Sequence, residues 1–324
     1  MSRGIFDFIK NEPAYSSLQK KWHIELCRFD QFWYDLIIDP PDEFDTRAMA
    51  TKYLKNLKSE VKKSLDKRFV YFVATRKRVR FSIKKPPKYL FFRDFVDVYL
   101  EIGREKERKK IRIDMRAAKR EYGTRPKVQV TERIISFTYS PTLKISMSVH
   151  DFLDKFSISL GFESEIKYVG YTENPFDRPI NKPHLGLSRV FYKTDTQDLD
   201  TFVCYNLFKV LTVTEENSGP IMFCVANSVI DEVGVEQEGK LIEKLFIQYF
   251  NAEAQEANKS SERGELSNSL NDLMSNFKIK SISVHYEPDS ESDYLLFGSR
   301  SVPASHSHNF TCVSNNGQVE INKN

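Results

Sequence analysis

The chain has 324 residues, of which 40% are hydrophobic and 13% aromatic, too apolar for a disordered protein and long enough for two domains with sizeable cores. No apolar run approaches the ~20 residues that a membrane-spanning helix needs, so no membrane association is expected. The net charge is only +4, yet the span 52–128 holds 26 lysines and arginines against 9 acids, a local +17 that leaves −13 for the rest.

Taken in chain order, the first ten residues carry an early acid and lack the hydrophobic run of a secretory signal, so no signal peptide is expected. Residues 14–37 read as a helix with an aromatic face (Trp22, Phe29, Phe32, Trp33) that stops before Pro40-Pro41. Asp45-Thr46 caps a second helix running to about Arg68. Phe69–Val73 and Val79–Ile83 suggest two strands of a hairpin turning around Arg76-Lys77.

The basic span continues through Lys84-Lys85 and from Arg104 to Arg120, interleaved with Tyr71, Phe72, Phe81, Tyr89, Phe91 and Phe92. A charge run usually does no more than solubilise a surface. An excess of +17 goes beyond that need. It suits a surface that neutralises phosphates and releases their counterions. Nucleic acid is therefore the expected partner, with Arg76, Lys77, Arg78 and Arg80 as candidate contacts.

Strand-like runs recur at 128–139 and 143–149, while residues 150–160 fit either a helix or a strand. Ile166 to Val169 alternate as a half-buried strand, and Gly170 ends it where backbone comes close to something. Thr172, Asn174, Pro175 and Asp177 are turn formers that leave Arg178 at the surface of a cleft. Cys204 and Cys224 lie in apolar strand-like runs, where buried free thiols are expected. The four cysteines show neither zinc nor disulfide spacing, which fits a reducing cytoplasm.

At 100° per residue, Leu241, Ile242, Leu245, Phe246, Tyr249 and Phe250 fill one arc of a helix. Glu243 lies at the edge of that arc. It either snorkels to solvent, pairs with a lysine, or holds a metal, because a buried carboxylate is costly otherwise. Residues 252–276 read as a mobile loop or a loose helix, followed by strands at 278–287 and 292–299 and a polar tail. His306 and His308 form a metal-prone pair that a Ser/His-rich tail loop explains as well.

Tyr168-Val169-Gly170, then Asn174, an arginine ten residues past the tyrosine, then a helix bearing Glu243 with Asn258 beyond it form an ordered constellation. Over about residues 150–260 it resembles the GIY-YIG nuclease family. The resemblance implies a small domain with a central sheet flanked by helices, and phosphodiester hydrolysis with one divalent metal, Mg²⁺ or Mn²⁺, on Glu243. It implies Arg178 on the scissile phosphate, and Tyr168 or His184 as general base. Lys182 and Asn258 would contact substrate. The chain departs from the family where a Gly-Ile-Tyr is due shortly before Tyr168 and Phe156-Ser157-Ile158 stands instead. Pro179 and Pro183 interrupt the stretch in which the family starts a helix. Tyr139 is one candidate for the missing first tyrosine.

The reading is an α+β chain with a basic nucleic-acid-binding domain at 1–140 and a GIY-YIG-like domain at 141–324. The expected activity is that of a cytoplasmic Mg²⁺-dependent endonuclease acting on DNA, in phage restriction or antiviral defence. It would work alone, as a homo-oligomer or with a defence-complex partner. The alternatives are a catalytically inactive nucleic-acid-binding or assembly subunit, and a nuclease directed at RNA.

Overall fold

The computed structural model describes residues 2–42, 44–64, 66–90, 93–178, 180–181, 185–215, 223–252, 254–255, 259–315 and 318–323. A 3₁₀ turn and α1 (Pro13–Ser16) lead into β1 (Lys20–Trp33), α2 (Tyr34–Ile38), α3 (Thr46–Ser64) and β2 (Phe69–Lys77). Then come β3 (Val79–Phe81), β4 (Lys88–Tyr89), β5 (Phe95–Ile102), β6 (Glu107–Asp114), α4 (Arg116–Tyr122), β7 (Lys127–Val130), β8 (Ile134–Ser140), β9 (Leu143–Ser148) and α5 (Val149–Lys155). β10 (Ser164–Thr172), α6 (Leu185–Lys193), β11 (Leu199–Thr214), β12 (Cys224–Ala226) and α7 (Asn227–Ile230) follow. The chain closes with α8 (Val235–Phe250), α9 (Lys259–Phe277), β13 (Ile279–Tyr286), β14 (Phe297–Ser299), β15 (Val302–Ser305), β16 (His308–Asn315) and β17 (Gln318–Lys323). The class is α+β.

One large mixed sheet runs β15-β14-β10-β2-β11-β1-β13-β16-β17, with β12 on β11. Two small sheets, β3-β5-β4 with β6 and β7-β8-β9, are built from the segment between β2 and β10. A boundary near residue 140 therefore separates no two cores. β1 and β2 lie inside the large sheet beside β10 and β11, and Phe81, Val98 and Phe137 share a core cluster with Phe246 and Phe310.

β2 is buried along almost its whole length, as its continuous apolar run Phe69-Val70-Tyr71-Phe72-Val73-Ala74 requires. Phe69, Tyr71 and Val73 join the core cluster containing Leu54 and Leu57 of α3. Val70, Phe72 and Ala74 join the cluster containing Phe246 and Phe250 of α8. Those two helices thus pack on opposite faces of one strand.

Residues 20–33 are a strand, not the expected helix. A β-bulge between Leu26 and Arg28 reverses the side-chain parity. Trp22, Ile24 and, beyond the bulge, Phe29 and Trp33 consequently meet the same core cluster. The spacing of Trp22, Phe29 and Trp33, seven and then four, mimics a helical stripe. The expected hairpin is also corrected. β2 pairs with β10 and β11, whereas β3 leaves for another sheet and pairs with β5. Val79 N–H donates to the buried Asp200 Oδ2 at 3.0 Å, so the chain crosses between sheets instead of reversing.

Residues 149–155 and 259–277 resolve as helices, and the tail after 300 forms three strands. Cys204 is buried, but Cys224, in the short strand β12, is exposed. Among the described residues no helix is long and apolar enough to cross a membrane.

Phe246 is fully buried, with ring centroids of Phe72 and Phe208 at 5.2 Å and Tyr286 at 5.6 Å. Phe246→Ala is expected to cost about 3–5 kcal/mol in urea denaturation. Phe8→Ala, at a 57% exposed position, should change stability by less than about 0.5 kcal/mol.

Candidate active site

In the antiparallel pairing of β10 with β2, Gly170 stands opposite Tyr71 and Tyr168 opposite Val73. The Tyr71 ring occupies the space above Gly170. A Cβ there would lie 2.4 Å from Tyr71 Cζ, 2.5 Å from its Oη and 2.8 Å from Tyr168 Cε1. Gly170 thus permits a close approach, as expected, but in mid-strand and not at its end. The two tyrosine rings are 6.0 Å apart at 34°, and their hydroxyls interact. Burial, then the Glu243 charge, pushes the Tyr168 phenol up to about 12. Burial raises Tyr71 as well. Both are protonated at neutral pH.

β10 pairs with β14 only at Ser164 and Glu165, leaving its later edge open. Gln255 covers part of it: Val169 N–H donates to Gln255 Oε1 at 3.2 Å, and Gln255 Nε2 donates to the Val169 carbonyl at 2.7 Å. Two residues on, Tyr171 N–H donates to the Glu243 carboxylate. α8 reaches this edge because Gly239 passes so close that a Cβ would sit 2.8 Å from Arg68 Cβ and 2.9 Å from Tyr171 Cε2.

Burial, followed by repulsion from Glu262 of α9, pushes the half-buried Glu243 carboxyl up to about 7. The neighbouring Lys244 is engaged with Glu265. Glu243 has no ion pair among the described residues.

Arg178 lies on a loop held from several sides. Its N–H donates to the Asn174 carbonyl at 3.1 Å, and the buried Tyr205 hydroxyl donates to the carbonyls of Pro175 at 2.7 Å and Arg178 at 3.1 Å. The exposed guanidinium forms no ion pair among the described residues. Its charge nevertheless acts on Glu243, Tyr168 and Tyr71. The structure therefore brings Tyr168, Arg178 and Glu243 into one neighbourhood. It adds Tyr71 and Glu262, which the sequence reading missed. Lys182, His184 and Asn258 lie outside the described residues, as do Pro179 and Pro183.

Tyr139 stands in a different sheet, its ring 4.2 Å from that of Tyr122, and does not belong to this group. Tyr71 closes the triplet Phe69-Val70-Tyr71 within the apolar run of β2, an apolar-apolar-tyrosine sequence that could have been matched to Tyr168-Val169-Gly170. A separation of 97 residues hid it.

Arg76 and Arg80 are not surface contacts for nucleic acid. Arg76 is 2% exposed, lies 4.2 Å over the Tyr294 ring and donates to the Asp293 carbonyl. Arg80 stacks over Trp33 at 4.9 Å and pairs with the fully buried Asp200 at 2.8 Å. Asp200 also receives His150 Nε2 at 2.9 Å, and His150 Nδ1 meets the Tyr294 hydroxyl at 2.6 Å. Lys77 is half-exposed but paired with Asp198 at 2.6 Å, and Arg78 donates to the Thr196 carbonyl at 3.2 Å. His308 is buried between the Tyr249 hydroxyl at 3.1 Å and the Phe297 carbonyl at 3.0 Å, a packing role in the strand β16.

Comparison with family models, curated proteins and solved structures finds no match to this chain.

The raised Glu243 carboxyl has a definite linkage sign. Below its ordinary value of 4.5 both folded and unfolded forms are protonated; between there and about 7 the unfolded chain ionises first, so folding loses stability as pH rises. In chelator, Glu243→Gln should therefore gain stability over wild type between pH 4.5 and 7, by on the order of 2–3 kcal/mol. Urea melts across that range check it, and a pH-independent difference would contradict it.

Proposed function

We propose that this chain is a metal-dependent endonuclease that hydrolyses phosphodiester bonds, in keeping with its resemblance to GIY-YIG nucleases. The supporting observation is that Tyr168 and Tyr71 meet over Gly170, and that Glu243 and Arg178, from a helix and a loop, lie close enough for their charges to act on both tyrosines. Arg178, exposed and without an ion pair among the described residues, offers a planar fork of donors to the non-bridging oxygens of a phosphate. Tyr168 is the candidate to take a proton from the attacking water, a role that requires its phenol, pushed up to about 12, to be brought down, and contact with the Tyr71 hydroxyl works in that direction. Attack at phosphorus breaks the bond to the leaving oxygen, which then takes up a proton. Neutralising Glu243 also eases loss of the Tyr168 proton, because the Glu243 charge opposes it.

The residues fit a lightly held hard cation. Among the described residues no three His, Cys, Asp or Glu side chains converge. Glu243, with Glu262 nearby and no ion pair of its own among those residues, matches a Mg²⁺ or Mn²⁺ bound by a carboxylate and waters. When bound, such an ion supplies Lewis-acid stabilisation of the phosphoryl and leaving oxygens. The thin ligand set also favours a second reading, an inactive nucleic-acid-binding or assembly subunit of a defence system. DNA is the favoured substrate.

Plasmid and single-stranded RNA incubated with Mg²⁺ or with excess chelator separate these readings. Cleavage should require the metal, and Glu243→Gln should abolish it while binding is kept. Arg178→Ala and Arg178→Lys should each lose about 10²–10³ in rate, as loss of a transition-state charge contact does. Undiminished cleavage in chelator would sink the metal-dependent reading. A fully active Arg178→Lys would show that the fork is not used, and binding without any cleavage would favour the inactive subunit.

A further inference from the structure

With Arg76 buried and Arg80 paired to Asp200, the charge that meets a substrate must come from elsewhere. α3 is a basic element in contact with the loop that carries Arg178. At 100° per residue, Ala50, Leu54, Leu57 and Val61 form its inward stripe, and Arg47, Lys55, Lys58 and Lys62 line one flank, with Lys52 and Lys63 beyond. Contacts fix where that flank points. Arg47 Nε donates to Asn181 Oδ1 at 3.1 Å, Asn181 Nδ2 donates to Thr51 Oγ1 at 3.3 Å, and Lys58 bonds Asn174 and pairs with Glu173 at 3.5 Å. The ammonium groups of Lys55 and Lys58 lie 5.4 and 5.9 Å over the Phe176 ring. All of these partners belong to the segment that carries Arg178. The opposite flank of α3 presents Tyr53 and Glu60 to Arg28.

Lys52, Lys55, Lys62 and Lys63 are exposed and form no ion pair among the described residues. On the β5–β6 ribbon and α4, by contrast, many cations are matched: Arg112 with Asp97 at 2.8 Å, Arg116 with Asp114 at 2.6 Å and Lys119 with Asp94 at 3.2 Å. A cleft of about 470 Å³ between α3 and Asn181, lined by Arg47, Lys52 and Lys55 among others, runs along the cationic flank.

We propose that this flank of α3 is the track that seats the sugar–phosphate backbone and leads it to Arg178, an assignment that rests on the nuclease reading. From Arg47 to Lys62 the helix rises ~22 Å, a length over which a duplex presents on the order of a dozen phosphates. Arg47 and Lys58 serve twice, as cations of the track and as the pins of the Arg178 loop. DNA and RNA share the chemistry that the track recognises.

The test uses the full chain in chelator, with a 30-base-pair DNA duplex and a single-stranded RNA of the same sequence as probes, over a salt series. The Lys52→Gln/Lys55→Gln/Lys62→Gln variant spares both loop pins and the core. It should bind its preferred probe about tenfold or more weaker at 0.1 M salt, with the slope of log K against log salt reduced by about 2–3. Lys155→Gln/Lys280→Gln/Lys323→Gln removes the same charge from exposed positions elsewhere and should leave both quantities near wild type. The probe that shows the larger difference identifies the nucleic acid.

Equal losses in the two variants would mean diffuse electrostatics and overturn the track. So would an unchanged slope in the first variant, or wild type that binds neither probe. Loss of binding to phosphatidylserine vesicles alone would move the surface to a membrane role and overturn it equally. Track-dependent binding by a wild type that never cleaves with Mg²⁺ would instead retain the track and remove the nuclease reading.

Discussion

Tyr71 lies where a side chain at position 170 would have to be, and that steric condition organises the candidate site. The ring fits because Gly170 faces it in the β2–β10 register. A slip of one residue would turn each side chain to the other face of the sheet. The register thus places Tyr71 and Tyr168 on the face covered by α3 and the Arg178 loop. It also places Phe72 and Val169 on the face where Phe246 and Phe250 dock. Docking of those phenylalanines fixes α8, and α8 carries Glu243 to the open edge of β10. One strand pair therefore positions groups from three separate parts of the chain.

Two perturbed carboxyls in this protein invite comparison. Burial, then the charge of Asp200, pushes Asp35 up to about 7, similar to Glu243. Asp35 sits in a compensated network: Trp33 Nε1 donates to it at 3.0 Å, and Arg80, His150 and the Val79 N–H surround the neighbouring Asp200. That network joins β1, α2, β3, α5 and β11, and its chemistry is spent on holding them together. Glu243 instead faces a second carboxylate, Glu262, with the Tyr171 N–H donating to it. A perturbed carboxyl with no ion pair among the described residues, within reach of an arginine that also has none there, is the stronger candidate for function, because those residues do not use up its charge.

Much of this was legible where one physical signal dominated. The α8 stripe predicted which residues are buried and set Glu243 at the edge of that face, and the glycine of Tyr168-Val169-Gly170 marked a close approach. What misled was periodicity read without a bulge. Around Cys27 a strand with one extra residue spaces Trp22, Phe29 and Trp33 like a helix. Charge misled at Arg76 and Arg80 for a different reason: an arginine in a basic run looks exposed until the aromatic and carboxyl partners that bury it, Tyr294 and Asp200, arrive from more than 100 residues away. Charge on a helix face was more transferable, since α3 shows its lysines to solvent on a flank fixed by its own apolar stripe.

The distance along the chain that hid Tyr71 from Tyr168 has the most instructive cause. β2 and β10 pair as neighbours in the sheet, yet the chain between them builds two small sheets and α5 before returning. The entropy of closing a loop grows only with the logarithm of its length, so a long excursion between paired strands adds little beyond a shorter one. This excursion also contributes Phe81, Val98 and Phe137 to the shared core, which offsets part of that cost. Its length is therefore weakly constrained, whereas the register of β2 on β10 is strongly constrained by Tyr71 against Gly170 and by burial on both faces. Motif spacing along a sequence measures the first quantity, and site geometry depends on the second. A search for the partner of Tyr168 is better posed as a search for a doubly buried strand with a tyrosine opposite the glycine, at any distance along the chain.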